Sequence, residues 1–225
     1  MDWVMEVLEI GRLLGRKTLI VGEAGTGKSH LLARILERML EALGPEEITV
    51  IDMAPFRFSG IGGKLRELTE SVKRVRYLTD DGIAPPRLAG RNATEVLKLA
   101  ERNASLIRPL LLGFLKRPTR ILLVNDLTIY LHAGDPSLLE EVLEASETFV
   151  ATCYEGERLS DDKGSGITAI ERTRLDELKG RVDNVLVLRE PFIRTSPHPS
   201  QRSQPERQQQ PQQPRSPANP DHRIP

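Results

Sequence analysis

Six short apolar runs, separated by longer amphipathic stretches, recur between residues 18 and 188. They are TLIVG (18–22), ITVIDM (48–53), VRYLT (75–79), ILLVND (121–126), TFVATC (148–153) and NVLVL (184–188). Most of these runs are apolar throughout rather than alternating, which is typical of strands buried on both faces of a parallel sheet. We therefore expect a mostly parallel central sheet of about five or six strands.

The stretches between the runs have helical periodicity. The predicted helices cover residues 28–44, 63–74, 93–116, 135–146 and 167–180. Asp135 is expected to cap its helix with Pro136 at the first helical position, and Pro109 is expected to kink the long third helix. Because strand and helix alternate along the chain, crossover connections are required. The pattern predicts an α/β domain with three layers, a sheet between two layers of helices.

The composition indicates one folded domain followed by a different kind of segment. Charged residues make up 28% of the chain and hydrophobic residues 39%, as in ordinary globular proteins. From Thr195 onward Pro and Gln dominate, and such a segment buries too little apolar surface to offset its conformational entropy. We expect a folded domain over residues 1–194 and a disordered tail over residues 195–225.

Charge and cysteine content argue against several classes of protein. The formal net charge is zero, no nucleic-acid motif is evident, and no apolar run approaches the roughly 20 residues of a membrane-spanning helix. Cys153 is the only cysteine, which excludes an internal disulfide. The opening MDWVMEVLEI carries acids where a signal peptide carries bases, so we expect a cytoplasmic protein.

A glycine-rich stretch follows the first apolar run. Residues 22–29 read GEAGTGKS and fit the pattern G-x-x-x-x-G-K-[ST]. Glycines at this spacing let successive backbone N–H groups turn inward toward phosphate oxygens, and the helix that follows adds the positive end of its dipole. With an apolar strand before it and an amphipathic helix after it, this stretch is predicted to be a phosphate-binding loop.

Over residues 18–43 the chain resembles the P-loop NTPases, in the form of the motif common among ATPases. The resemblance implies a P-loop NTPase fold that binds ATP and Mg²⁺. It also implies that Lys28 reaches the β- and γ-phosphates and that the Ser29 hydroxyl binds Mg²⁺. The predicted nucleotide-binding residues are Gly22, Glu23, Ala24, Gly25, Thr26, Gly27, Lys28, Ser29 and His30.

A second acidic position ends the fourth apolar run. In ILLVND four apolar residues precede Asn125 and Asp126, which resembles the Walker B segment of P-loop enzymes. The resemblance makes Asp126 the metal-side carboxylate, together with Ser29. Many ATPases place a water-polarising Glu directly after this Asp, but the next residue here is Leu127. The alternative is that Asn125 lies near the metal and Asp126 is the catalytic base, and the sequence leaves both interpretations open.

The order of the segments resembles that of RecA-like ATPases. Two apolar runs lie between the glycine-rich loop and Asp126, and TFVATC follows. The resemblance offers Asp52, at the end of the second run, as another candidate base, and it places Thr152 near the γ-phosphate as a sensor. The competing interpretation of Asp52 is a strand-end carboxylate that accepts hydrogen bonds from nearby backbone N–H groups.

Two polar loops follow strands at the edge where ligands of open α/β sheets bind. The first, IDMAPFRFSGIGGK, contains Arg57 as a candidate substrate residue. The second, YEGERLSDDKGSGIT, contains Arg158 and Lys163. We interpret it as a mobile lid, as a charge-donating segment that acts across a subunit boundary, or as a solvated surface loop. His132 is expected to be a surface or capping residue.

Three functional hypotheses follow from these residues. The first is an Mg²⁺-dependent ATPase of the RecA-like or a related class, using ATP to drive work on a protein partner or within a homo-oligomer. The second is a small-molecule kinase that grips its substrate with Asp52 and Arg57. The third is a regulatory module that holds ATP without hydrolysing it. A guanine-specific switch is set aside because the N-K-x-D element is absent.

Overall fold

The computed structural model describes residues 9–58 and 61–189, which contain a six-stranded sheet. The strands are β1 (Lys17–Gly22), β2 (Ile48–Asp52), β3 (Arg76–Thr79), β4 (Ile121–Asn125), β5 (Thr148–Tyr154) and β6 (Asn184–Leu188). Their order across the sheet is β3-β2-β4-β5-β1-β6, and every neighbouring pair is parallel. The predicted parallel sheet is confirmed. The opening segment, the predicted boundary at residue 194 and the tail lie outside the described residues.

Helices cover both faces of the sheet. They are α1 (Lys28–Ala42), α2 (Pro86–Ala89), α3 (Ala93–Lys116), α4 (Thr128–Leu131), α5 (Pro136–Glu144) and α6 (Ile167–Lys179). One apolar core packs α1 against one face, and the other packs the remaining longer helices against the opposite face. The central strands β2, β4 and β5 are buried along their whole length, as expected for strands between two helical layers. The predicted α/β class with three layers is confirmed.

One local feature differs from the pattern-based expectation. Residues 63–74 were expected to form one helix, but they form two short 3₁₀ turns, Leu65–Glu67 and Glu70–Arg74. Thr69 separates the two turns because its backbone is extended and its side chain accepts a hydrogen bond from Ser71 N. This capping favours the start of a second turn over continuation of the first. The long helix α3 continues through its internal proline to Lys116.

The strand order determines which residues can meet. Because β5 lies between β1 and β4, the carboxyl ends of these three parallel strands stand side by side at one edge of the sheet. The loop after β1, Asn125 at the end of β4 and Thr152 in β5 belong to this edge. In the part of the chain that the structure describes, every helix is too short or too polar to traverse a bilayer.

Candidate functional site

The loop from Glu23 to Gly27 connects β1 to α1 and has the turn geometry that its glycines permit. Gly25 and Gly27 have positive φ angles of 82° and 88°, which side chains with a Cβ rarely adopt. Both the backbone N–H and the hydroxyl of Thr26 donate to the Glu23 carbonyl, at 3.3 and 2.9 Å. The sequence therefore folds locally into a tight concave loop at the start of the helix.

This loop leaves backbone donors available for an anion. Among the described residues, the N–H groups of Gly25, Gly27, Lys28 and Ser29 have no hydrogen-bond acceptor. The last two belong to the first turn of α1, where the helix itself provides no acceptor and its dipole favours negative charge. The residues present thus fit a phosphate group.

Lys28 lies folded against the loop. Its ammonium donates to the carbonyls of Gly22 and Glu23, at 2.8 and 2.7 Å. Burial lowers the pKa of Lys28, while the charge of Asp126 acts in the opposite direction. The ammonium is therefore held at the concave side of the loop and is within electrostatic reach of the carboxylate that follows β4.

At the end of β4, the Asn125 side chain contacts α1, the helix that follows the glycine-rich loop. The Ser29 hydroxyl donates to Asn125 Oδ1 at 2.9 Å, and the Thr152 hydroxyl donates to the same oxygen at 3.2 Å. Thr152 also accepts a hydrogen bond from Asp126 N at 2.8 Å. Serine, asparagine and threonine thus form one connected cluster that joins α1, β4 and β5.

Asp52 completes this cluster from the neighbouring strand. It is fully buried, and its Oδ1 accepts hydrogen bonds from Ala54 N and Asn125 Nδ2 at 3.1 and 2.9 Å. Its Oδ2 accepts from Leu65 N and the Tyr77 hydroxyl, both at 2.6 Å. Four donors therefore occupy the carboxylate. Because a carboxylate only accepts hydrogen bonds, Asp52 also fixes the Asn125 amide with its oxygen toward Ser29.

Asp126, one residue further along, has a different environment. Its φ angle is 55°, unusual for a residue with a side chain, and its Oδ1 accepts a hydrogen bond from the Thr128 hydroxyl at 2.8 Å. Desolvation raises the pKa of Asp126, against that hydrogen bond and the charge of Lys28. Asp126 lines a cleft whose walls include Ile129 and His132.

Behind Asp126 lies a buried ionic cluster of Arg87, His132 and Glu171. His132 Nε2 is 2.6 Å from Glu171 Oε2, and Arg87 Nη2 is 2.9 Å from the same oxygen. Within the described residues, Arg87 Nε and Nη2 and His132 Nδ1 have no partner with hydrogen-bond geometry. His132 is buried, so the expectation of a surface residue is wrong, whereas the capping alternative agrees with its position as the C-cap of α4. The sequence contained a signal for the burial of Glu171, because its spacing from the apolar Ile167 and Leu175 puts all three residues on the same helical face.

The remaining predicted residues lie around the loop. Arg57 is exposed and approaches His30 in the first turn of α1, where burial and the charge of Arg57 lower the pKa of His30. Arg158 donates from Nη1 to the Ala24 carbonyl at 3.4 Å. Lys163 is paired with the neighbouring Asp161. The structure thus brings Arg57 and Arg158 to the site, and it gives Lys163 a partner of its own.

Comparison with known proteins shows no family for this chain. No protein-family model matches the chain, and no curated protein is significantly similar to it. Among solved structures, the Pif1 helicase from Candida albicans is similar at a TM-score of 0.41 and 16% sequence identity, over 85% of this chain. The matched region spans 40% of the helicase chain. At this distance nothing about activity is carried over from the helicase.

Proposed function

We propose that the chain binds ATP with Mg²⁺ in the loop at residues 22–29 and hydrolyses it. The observation that carries the proposal is the hydrogen bond between Ser29 and Asn125. It joins the phosphate-binding loop, which follows β1, to the end of β4, which lies two strands away from β1 in the sheet. Asp126 directly follows β4. The motif and the strand-end acid, far apart in sequence, thereby form one site.

In this site Lys28 and the free N–H groups bind the phosphates, and the Ser29 hydroxyl is the protein ligand for the metal. Bound Mg²⁺ supplies positive charge that offsets the charge of the phosphate oxygens. Asn125 lies beside Ser29, where the Walker B resemblance predicts a carboxylate. Among the described residues no group of three or more His, Cys, Asp or Glu side chains is arranged to hold a metal. Mg²⁺ bound here would take its other ligands from the nucleotide's phosphates and from water.

Asp126 is the proposed general base. Of the two interpretations of the strand end, the contact between Asn125 and Ser29 favours the one in which Asn125 is on the metal side. Asp126 then faces the attacking water. Only its Oδ1 has a described hydrogen bond, and its raised pKa makes it a better proton acceptor than an ordinary aspartate.

One observation favours a second candidate, a module that holds ATP without turnover. Asn125 is neutral, and its oxygen already accepts two hydroxyl hydrogen bonds, so it stabilises a metal less than a carboxylate does. The kinase hypothesis lacks comparable support, because Asp52 is buried and its four hydrogen bonds leave it no contact with a substrate. The homo-oligomer and the protein partner stay predictions.

The decisive experiment measures ATP binding and Mg²⁺-dependent turnover for the wild type, Lys28→Ala and Asp126→Asn. We expect Lys28→Ala to weaken ATP binding, and Asp126→Asn to keep binding but lower turnover by about 10²- to 10⁴-fold. Lys73→Ala is the control, because Lys73 is an exposed lysine paired with Glu70. ATP binding that survives Lys28→Ala would refute the proposed nucleotide site. Tight ATP binding by the wild type without any turnover would support the second candidate, a module that holds ATP without hydrolysing it.

A further inference from the structure

The segment after β5 is fastened to the phosphate-binding loop by one carboxylate. Glu23 Oε2 accepts hydrogen bonds from Glu157 N and Arg158 N at 2.8 and 3.1 Å, and Glu23 Oε1 accepts from Ala24 N at 2.6 Å. Burial alone would raise the pKa of Glu23, but these three backbone hydrogen bonds lower it. Glu23 therefore remains an anion that holds residues 157 and 158 over the loop.

The close approach of the two segments depends on a glycine. A Cβ on Gly156 would lie 2.3 Å from Glu23 Oε2, so no larger residue fits there without displacing the carboxylate. Further contacts fix the segment on both sides. Glu155 N donates to the Gly22 carbonyl at 3.0 Å, and Leu159 N donates to the Tyr154 hydroxyl at 2.9 Å. These hydrogen bonds thus hold the segment from 155 to 159 in a defined position beside the loop.

This construction places the Arg158 guanidinium on the loop of its own chain. Nη1 is 3.4 Å from the Ala24 carbonyl, and a Cβ on Gly25 would lie 3.9 Å from the same nitrogen. Within residues 9–58 and 61–189 the guanidinium forms no ion pair with a carboxylate, although the charge of Glu23 is nearby. Lys28 Nζ binds the carbonyls of Gly22 and Glu23, the two residues directly before Ala24 in the loop. Because a P-loop lysine reaches the β- and γ-phosphates, we expect the part of the loop that Arg158 contacts to border the terminal phosphate.

We propose that Arg158 binds the terminal phosphate of the nucleotide held by its own chain, and that Glu23 is the residue that positions it. The inference rests on the proposed function and assigns a role within that site. A guanidinium can donate two parallel hydrogen bonds to the oxygens of one phosphate. The Arg158 guanidinium already lies on the loop of its own chain, so no second subunit is needed to supply it. It replaces the expectation that Arg158 serves a neighbouring subunit's nucleotide.

The first test compares ATP and ADP affinities for the wild type, Arg158→Ala and Lys163→Ala. We expect Arg158→Ala to weaken ATP binding by about 10- to 100-fold while ADP binding changes little, because a charge-assisted hydrogen bond to the third phosphate is lost. Lys163→Ala removes the same charge from the same loop, and we expect it to leave the ratio of the two affinities unchanged. An unchanged ratio in Arg158→Ala would overturn the inference.

The positioning role of Glu23 is tested by a double-mutant cycle. We expect Glu23→Gln to shift the ratio of ATP to ADP affinity in the same direction as Arg158→Ala, and the double variant to be no worse than Arg158→Ala alone. A purely structural role would lower the affinities for both nucleotides alike. Additive effects on the ratio would overturn the coupling between the two residues.

A mixing experiment separates action on the same chain from action on a neighbour. Lys28→Ala and Arg158→Ala proteins are combined and ATP turnover is measured. If Arg158 serves its own chain, no mixed pair contains a complete site and turnover stays at the level of the separate variants. Recovery on mixing would overturn the inference and leave the proposed function intact. ATP binding unaffected by Lys28→Ala would instead refute the proposed function itself.

Discussion

Asn125 and Asp126 are neighbours in the chain, but they belong to two differently built regions of the site. On the Asn125 side, Asp52 accepts four hydrogen bonds, and the Asn125 amide donates and accepts within the same cluster. On the Asp126 side, the backbone is left-handed, the carboxylate is desolvated, and the ionic cluster of Arg87, His132 and Glu171 leaves polar atoms without hydrogen bonds.

The difference separates a region that stabilises the fold from one that costs stability. Buried polar groups contribute when all their partners are present, whereas strain and incomplete hydrogen bonding persist only where the surrounding structure holds them. Such costs are common at sites that react or bind. We therefore expect substitutions on the Asn125 side to destabilise the protein and a suitable substitution at Asp126 to stabilise it.

The largest effect is expected for Asp52→Ala. Four donors, including Leu65 N and the Tyr77 hydroxyl, would lose their acceptor in a buried place, and we expect the free energy of unfolding to fall by about 5 kcal/mol. Denaturant unfolding followed by circular dichroism measures it. Thr49→Val on the same strand removes one buried hydroxyl contact, with Thr119, and should cost about 1 kcal/mol. Equal losses in the two variants would contradict the special role of Asp52.

A smaller loss is expected for Glu171→Gln. This change leaves the charge of Arg87 buried without a counter-charge and should cost about 3 kcal/mol of unfolding free energy. Adding Arg87→Met removes the stranded charge, so the double variant should recover much of the loss. The comparison is made by denaturant unfolding of both single variants and the double variant. A double variant less stable than Glu171→Gln would show that the cluster is held by more than its charges.

The smallest effect, with the opposite sign, is expected for Asp126→Asn. Asparagine tolerates the left-handed backbone and carries no charge to desolvate, so we expect a gain of about 1 kcal/mol at neutral pH together with loss of turnover. Because the folded state raises the pKa of Asp126, its ionisation opposes folding increasingly as the pH rises through the raised pKa. The gain should therefore be larger at about pH 8 than at about pH 4. A gain independent of pH would mean that charge plays no part.

Much of the fold was predictable because its signals are local. Uninterrupted apolar runs indicate strands buried on both faces, and all six runs are strands of the parallel sheet. Asp135 caps α5 as its type and the following proline indicate. The segment over residues 63–74 was predicted less well, since helical spacing of leucines also suits two 3₁₀ turns once Thr69 offers a competing hydrogen bond.

The sequence by itself determined the glycine-rich loop over residues 22–29 and the helix start after it, because glycine conformations and the start of a helix depend on adjacent residues. Only the tertiary structure decided which side chains meet at that loop. The insertion of β5 between β1 and β4 brings Asn125 to Ser29, and the fold of the segment after β5 places Arg158 on the loop of its own chain. These contacts join residues roughly a hundred or more positions apart, and their geometry depends on strand order and side-chain packing, which no local pattern encodes.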